Sequence, residues 1–544
     1  MTAQQIGSGL ENLTRGWHAI FLAYGIVAVF SLAGLKRGGA GFNQYLWWPI
    51  TSLATLVVGL VVLTILSELA NNLGFKPPPA VEVILGLAAW MAVGIAGGFY
   101  WARRGRAFEP SHARGAVVLD GAALQKDSRR LVKSAGGDGV LTLAGVTVAF
   151  EDETKHFKFM GTTGSGKSTA LRELLDGSLK RGDRAVIADP DGSYLSQFYT
   201  PRRGDVILNP FDRRSAKWDL FAELTQAYDI DQLARALIPD RGNADPTWTS
   251  YARTFFGAIV RQARALKVTD LAELYRILTV ARRDELKLLT EGTAAAPFLE
   301  DGNERFFGSV RSATTENTKS LEYICQQKGP LFSVREWIKS GRGVLFLPYQ
   351  ADQIAALKSI ISTWMRLAIF QTLSLGEGDS RLWFAIDELD ALGPIDGLGD
   401  ALPRLRKFGG RCALGFQAIS QVSTTYGQGL AQAMVENCGT SLILRCSASE
   451  HGGTSQFASK LIGDRQIVRM SQSVSRSAEG FLGRKRDTHG TTEQHAVEAA
   501  VMPAEIEQLA DRCGFLKFPS QAEWLKLSFP YYQLPKIAEP FVPI

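Results

Sequence analysis

The sequence predicts an α/β protein on a parallel-dominated sheet, with an all-α insertion domain and an N-terminal transmembrane helical region. Three observations predict it. Short apolar runs alternate with helical patterns beyond residue 111, one long interval between two of those runs carries helical periodicity alone, and three apolar stretches of about twenty residues precede everything else.

The apolar stretches come first. GWHAIFLAYGIVAVFSLAGL covers 16–35, LWWPITSLATLVVGLVVLTIL covers 46–66, and AVEVILGLAAWMAVGIAGGFYW covers 80–101. Each matches the length a helix needs to cross roughly 30 Å of hydrocarbon. Trp17, Trp47, Trp48, Tyr100 and Trp101 sit at their ends, where aromatic belts form. Arg103, Arg104 and Arg106 follow the third stretch, and Lys36 and Arg37 follow the first. Three crossings with the N-terminus outside place both basic clusters in the cytoplasm. Glu82 lies near the end of its stretch, within reach of the headgroups. A cleaved signal peptide fits poorly, because only Arg15 precedes a run that outlasts an h-region. Two or three transmembrane helices are expected over 1–110.

The second element is a glycine-rich turn. FKFM (157–160) reads as a buried strand, and Ala170, Leu171, Leu174 and Leu175 recur at helical spacing after it. Between them, Gly161, four residues and then Gly166-Lys167-Ser168 have P-loop spacing. Gly161, Thr162, Thr163, Gly164, Ser165, Gly166, Lys167, Ser168 and Thr169 are the expected nucleotide-binding residues. Glycine permits inward-facing N–H groups and close approach to an anion. Lys167 would meet the β/γ-phosphates, Ser168 would ligate Mg²⁺, and the helix would point its positive end at the phosphates. The expected cofactors are ATP and Mg²⁺.

The remaining strands are RAVIADPDG (184–192), DVILNP (205–210), GVLFLPY (343–349), RLWFAIDELDAL (381–392), CALGFQ (412–417) and SLILRC (441–446). Alternation with helices implies a parallel sheet covered on both faces, with chemistry at the strands' carboxyl ends. Asp387 and Glu388 end one run: Asp387 completes the Mg²⁺ shell, and Glu388 polarises the attacking water. Gln417 ends another, where an amide senses the γ-phosphate or the water; an ordinary polar turn is the competing reading. The body is therefore read as a RecA-like P-loop ATPase.

Between Asn209 and Gly341 the pattern is helical only, from DIDQLARALI (229–238) to SVREWIKS (333–340), with no strand expected. Arg253, Arg261, Arg264 and Lys267 there form either a solvated face or a DNA patch. The boundaries follow: 1–110 anchor, 111–215 first part of the nucleotide-binding domain, 216–338 insertion, 339–544 second part. The basic interval 465–494, centred on Arg484-Lys485-Arg486, is either a solvated loop or an edge hairpin facing a polyanion.

Composition sets limits. The formal charge is +6, but residues 1–110 hold seven Lys/Arg against four Glu and the rest is nearly balanced, so DNA contact must use local patches. Cysteines 325, 412, 438, 446 and 513 lack C-x-x-C spacing, and the histidines (His489 and His495 among them) do not cluster. That argues for small core residues in a reduced compartment, not for a disulfide frame or zinc site. An ABC-type exporter would need an LSGGQ-like helix, and 169–386 has none.

GTTGSGKSTALRELLDGSLKRGDRAVIADPDGSYLSQF (161–198), WFAIDELDAL (383–392), LRKFGGRCALGFQAISQ (405–421) and VMPAEIEQL (501–509) occur in this order. In these motifs the chain resembles the type IV secretion coupling proteins of conjugative DNA transfer, in their TraD/TrwB branch, from about 140 to 525. The resemblance implies a DNA-dependent ATPase of the bacterial inner membrane, multi-pass, with the ATPase body in the cytoplasm. It implies a homo-hexamer around a channel that recruits a relaxase–DNA complex (single- or double-stranded DNA, relaxosome proteins) to the type IV secretion channel. By position, Lys167, Asp387, Glu388 and Gln417 are the catalytic group, and Arg406 the arginine that reaches a neighbour's γ-phosphate. The insertion becomes the expected dock for the relaxosome. The rival is a nucleotide-switched receptor that docks the relaxosome without pumping DNA. Family members usually cross the membrane twice, whereas three stretches are present here.

Overall fold

The computed structural model describes residues 22–38, 40, 45–73, 79–106, 111–136, 139–240, 246–378, 380–449, 453–477 and 486–544. The chain divides into two compact units, residues 1–115 with 465–498, and residues 116–464 with 499–544.

In the first unit, residues 22–38 are helical, followed by helices Trp48–Asn72 and Pro79–Arg106. Two segments are long and apolar enough to cross a bilayer, Trp48–Ile65 with mean hydropathy 2.1 and Ile84–Arg103 with 1.6. Of the first apolar stretch, residues 16–21 lie outside the described residues. Small residues let the helices touch backbone to backbone, as in membrane bundles. A Cβ on Gly98 would lie 2.0 Å from the Ser31 carbonyl oxygen, and one on Gly34 would lie 2.2 Å from that of Ile95. Trp48 Nε1 donates to Ala28 O and Ser31 Oγ, both at 3.0 Å, so its polar edge is satisfied inside the bundle. The same unit holds a three-stranded sheet in which Ser111–Gly115 pairs antiparallel with Asp464–Ser477, whose other neighbour is Arg486–Ala499. Of the two readings of 465–494, this is the hairpin; Arg484 and Lys485 lie outside the described residues.

The second unit is organised by a ten-stranded sheet. Its strands are β1 (Val118–Asp120), β2 (Phe157–Met160), β3 (Arg184–Pro190), β4 (Val206–Ile207) and β5 (Val344–Tyr349). Then come β6 (Leu382–Ile386), β7 (Gly410–Phe416), β8 (Thr440–Ile443), β9 (Cys513–Lys517) and β10 (Trp524–Ser528). The spatial order is β1-β10-β9-β8-β2-β7-β6-β3-β5-β4. Every adjacent pair from β8 to β4 is parallel, β9 runs antiparallel to both its neighbours, and β10 runs parallel to β1. The apolar runs are continuous because both faces are buried. Val186, Leu345, Phe384 and Leu414 join one core, while the alternate residues Ala185, Val344, Trp383 and Ala413 join the other.

Three features differ from expectation. The run 205–210 contributes only Val206–Ile207, because Asp205 turns its carboxylate inward to accept Val344 N at 2.9 Å and to pair with Arg203. The helical insertion between β4 and β5 is not strand-free: Lys217–Trp218 pairs parallel with Leu331–Phe332. This short ladder closes the neck through which the chain leaves and returns. Finally, β1, β9 and β10 extend the sheet at an edge where no strand was anticipated.

The insertion itself packs helices Asp229–Leu237, Pro246–Ala265, Leu271–Thr279, Arg283–Thr290, Glu304–Thr318 and Ser320–Gln326 around Phe255, Phe256, Ile259 and Leu274, all buried. The five cysteines are unpaired, and Cys412, Cys438 and Cys446 are buried.

Candidate active site

Strands β2, β7, β6 and β3 lie side by side, with Met160 opposite Phe416, Leu414 opposite Ile386 and Ile386 opposite Ala188. Their carboxyl ends therefore deliver four chain segments to one edge of the sheet. Those segments are the P-loop, Gln417, Asp387-Glu388 and the stretch after Pro190.

The P-loop turns because two of its glycines sit at positive φ, Gly164 at 77° and Gly166 at 117°, where a side chain is strained. Gly166 is also sterically confined, since a Cβ would lie 3.0 Å from Arg512 Cγ. Lys167 opens the helix Lys167–Lys180, and its Nζ donates to Gly161 O at 2.6 Å and Thr162 O at 3.4 Å. Burial pulls the Lys167 ammonium below the usual lysine value, while Asp387 and Glu388 hold it up. The unpaired N–H groups of the helix's first turn complete an anion cradle.

Ser168 Oγ donates to Asp387 Oδ2 at 2.6 Å, bringing together the two groups read as Mg²⁺ ligands. The donor set is two oxygens, a hydroxyl and a carboxylate, which suits a hard cation that keeps several waters and phosphate oxygens. Tyr194, just beyond β3, donates its phenol to the same Oδ2 at 2.8 Å. Glu388 accepts from Gln417 Nε2 at 3.4 Å, and Gln417 Oε1 accepts from Thr163 Oγ1 at 3.1 Å. Gln417 thus links the P-loop to Glu388. Burial pushes Glu388 above the usual glutamate value, the Asp387 and Asp390 charges add to this, and Lys167 opposes it. Asp189, at the end of β3, accepts Tyr194 N at 3.0 Å and Leu195 N at 2.6 Å. Complete burial pushes its carboxyl up to about 7.

A cleft of about 260 Å³ joins these groups, lined by Thr162 to Gly164, Gly166 to Thr169, Arg172, Asp387, Glu388, Gln417, Arg512 and Tyr531. Gly161 and Ser165 stand behind it, with Ser165 buried. Sequence reasoning missed Arg172, Tyr194, Arg512 and Tyr531. Tyr194 lies in a loop with no spacing signal of its own, and the last two reach the P-loop from the far end of the chain.

Arg406 is elsewhere. It is exposed on the turn Arg406–Phe408, at the amino end of β7, whereas Gln417 follows the carboxyl end of that strand. Seven strand residues separate the two ends, about 20 Å at the usual rise. Arg406 instead neighbours His156, whose pKa burial lowers to about 4 with help from the arginine charge. Of the basic residues singled out in the insertion, Arg253 pairs with Asp240 at 3.0 Å, Arg261 pairs with Asp231, and Arg264 donates to Thr225 O at 3.3 Å. Lys267 is exposed.

Comparison with known proteins gives concordant matches. A family model described as the type IV secretion-system coupling protein DNA-binding domain matches residues 140–530. Coupling protein TraD of Escherichia coli (strain K12) is 30% identical over 426 residues, covering 77% of this chain and 58% of TraD. The chain therefore spans somewhat over half the length of that relative. Among solved structures, the plasmid coupling protein TrwB in complex with ADP and Mg²⁺ is 30% identical, covers 80% of this chain and 98% of its own, and superposes with a TM-score of 0.69. TrwB in complex with a non-hydrolysable GTP analogue has the same identity and coverage and a TM-score of 0.68.

Proposed function

The chain belongs to the type IV secretion-system coupling proteins, and from that premise we propose that it is a DNA-dependent ATPase of the bacterial inner membrane. It recruits a relaxase–DNA complex to a type IV secretion channel and drives conjugative DNA transfer. The observation that carries the reading is the bonded chain Thr163–Gln417–Glu388 beside Ser168–Asp387, all at one edge of the sheet. A pure nucleotide switch needs the grip but not a carboxylate held against the γ-phosphate sensor. In this arrangement Lys167 and the loop N–H groups bind the phosphates, and Ser168 and Asp387 hold Mg²⁺, which neutralises developing charge. Glu388 orients water, and Gln417 reports whether the γ-phosphate is in place.

Two long apolar helices followed by the basic Arg103–Arg106 segment support a multi-pass membrane anchor with the ATPase body in the cytoplasm. The exposed position of Arg406, away from its own cleft, supports a homo-hexamer in which each arginine serves a neighbouring subunit. Relatives hold ADP with Mg²⁺ and a GTP analogue, which supports ATP·Mg²⁺ as the fuel here. The test is steady-state ATP turnover by the purified full chain with and without single- and double-stranded DNA, together with displacement of a protein block from DNA. Stimulated turnover with displacement supports the motor. Nucleotide-dependent docking of relaxase without displacement supports the switched receptor instead.

A further inference from the structure

The cleft has two ends. Thr163, Gln417 and Glu388 mark the end where the γ-phosphate and water meet. Lys167 reaches the β/γ-phosphates, so the nucleoside must leave toward the other end, past Gly166 and Thr169. Arg512 and Tyr531 line the cleft, and Arg512 Cγ and Phe529 Cζ lie 3.0 and 3.4 Å from where a Cβ on Gly166 would stand, which sets this segment of the chain at that end.

Both are held in place by backbone and neighbours, with their side chains left free. Arg512 sits at φ 60°, a conformation non-glycine residues rarely adopt. It is fixed there by its N–H on Ser165 O at 2.8 Å and by its carbonyl, which accepts Phe529 N at 3.0 Å. A strained residue fixed in this way beside a phosphate loop is the pattern of a functional position. Among the described residues its guanidinium makes no hydrogen bond or ion pair. Tyr531 is 55% exposed and its phenol is likewise unpartnered there. The chain is anchored on both sides of it, by Phe529 N and by Tyr532, whose phenol donates to Asp176 Oδ2 at 2.5 Å. Further on, Ile537 N and Ala538 N both donate to Ser196 O.

We propose that the C-terminal segment supplies the nucleoside end of the site, with Arg512 on the α-phosphate and the Tyr531 ring against the face of a purine base. This rests on the nucleotide-hydrolysis reading above. Stacking engages the face of a base, which every base has, and leaves its hydrogen-bonding edge unread. Tyr531 therefore holds adenine and guanine alike.

The experiment is calorimetric binding of non-hydrolysable ATP and GTP analogues, and of tripolyphosphate, to the full chain in detergent with Mg²⁺. Tyr531→Ala is expected to weaken both analogues by the same factor, about tenfold for loss of one base–aromatic stack, and to leave tripolyphosphate affinity as it was. Tyr531→Phe restores the analogue affinity. Arg512→Ala weakens analogues and tripolyphosphate together. The proposal is overturned if Tyr531→Ala binds the analogues as the wild type does, or if it weakens tripolyphosphate equally. Lys167→Ala separates the two layers. If it abolishes binding while Tyr531→Ala is silent, only the nucleoside-end assignment fails; if it leaves tripolyphosphate binding intact, the underlying cleft reading fails and this assignment with it.

Discussion

Tyr194 and Ser168 donate to one and the same oxygen, Asp387 Oδ2, at 2.8 and 2.6 Å. The carboxylate is thereby aimed before any metal arrives. Tyr194 is completely buried and its pKa is raised well above the usual phenol value, so it acts as a fixed donor at all working pH. Asp189 fixes the tyrosine in turn by accepting its backbone N–H.

Tyr194→Phe keeps the ring and removes the donor. A hydrogen bond to a charged group contributes about 1.5–3 kcal/mol, and under the role proposed for Asp387 part of it reappears as a misaimed Mg²⁺ ligand. The Mg²⁺ concentration for half-maximal ATP turnover is expected to rise roughly tenfold, since ~1.4 kcal/mol corresponds to one decade. Magnesium titration of the ATPase rate checks this, and an unchanged midpoint would show that Ser168 alone aims Asp387.

Glu388 is the expected general base, and Glu388→Gln keeps its shape and its contact with Gln417. Nucleotide binding should persist while turnover falls about 10²–10⁴-fold, the usual contribution of a positioned proton acceptor. Because burial and Asp387 raise its pKa, wild-type turnover should be lost on acidification at a higher pH than an ordinary glutamate would give. A pH profile of single-turnover hydrolysis reads both. A Gln variant that hydrolyses normally would remove Glu388 from the chemistry.

Asp189 carries a stability signature. Its folded pKa of about 7 lies well above the ordinary aspartate value because the group is fully buried. The folded state then holds a proton that the unfolded state has released. Its stabilising contribution is full below about pH 4 and is lost as pH rises through about 7. Asp189→Asn should flatten the fall in melting temperature between those limits, as thermal scans across pH would record. An unaltered slope would assign the pH dependence to other groups.

The sequence made the local parts of the site legible and left the non-local parts hidden. The P-loop declared itself because glycine spacing, strand and helix are all contiguous from Phe157 to Lys180. Asp387, Glu388 and Gln417 followed from strand ends, since a parallel sheet sends every carboxyl end to one edge. Tyr194 was invisible because its role depends on the adjacency of β3 and β6, which no sequence period encodes. Arg512 and Tyr531 were hidden further, since they flank two strands that join the sheet through the antiparallel β9. The neck ladder at 217–218 and 331–332 is too short to register as a strand pattern at all. The second and third apolar stretches became long helices as their length and composition dictate.

Arg406 offers the test that reaches beyond one subunit. It is exposed on the turn Arg406–Phe408, distant from the cleft its own chain forms. An arginine acting on a neighbour's phosphate contributes about 10³–10⁵ in rate. Arg406→Ala should therefore bind ATP normally and turn it over at least about a thousandfold more slowly. Lys167→Ala should be inactive for the opposite reason, a lost grip with an intact arginine. Mixed and reassembled, the two inactive variants form some seams that pair an intact P-loop with an intact Arg406. ATPase activity should then reappear on mixing and rise with protein concentration. If Arg406 worked within its own chain, no mixture would recover, because each subunit would carry its defect with it.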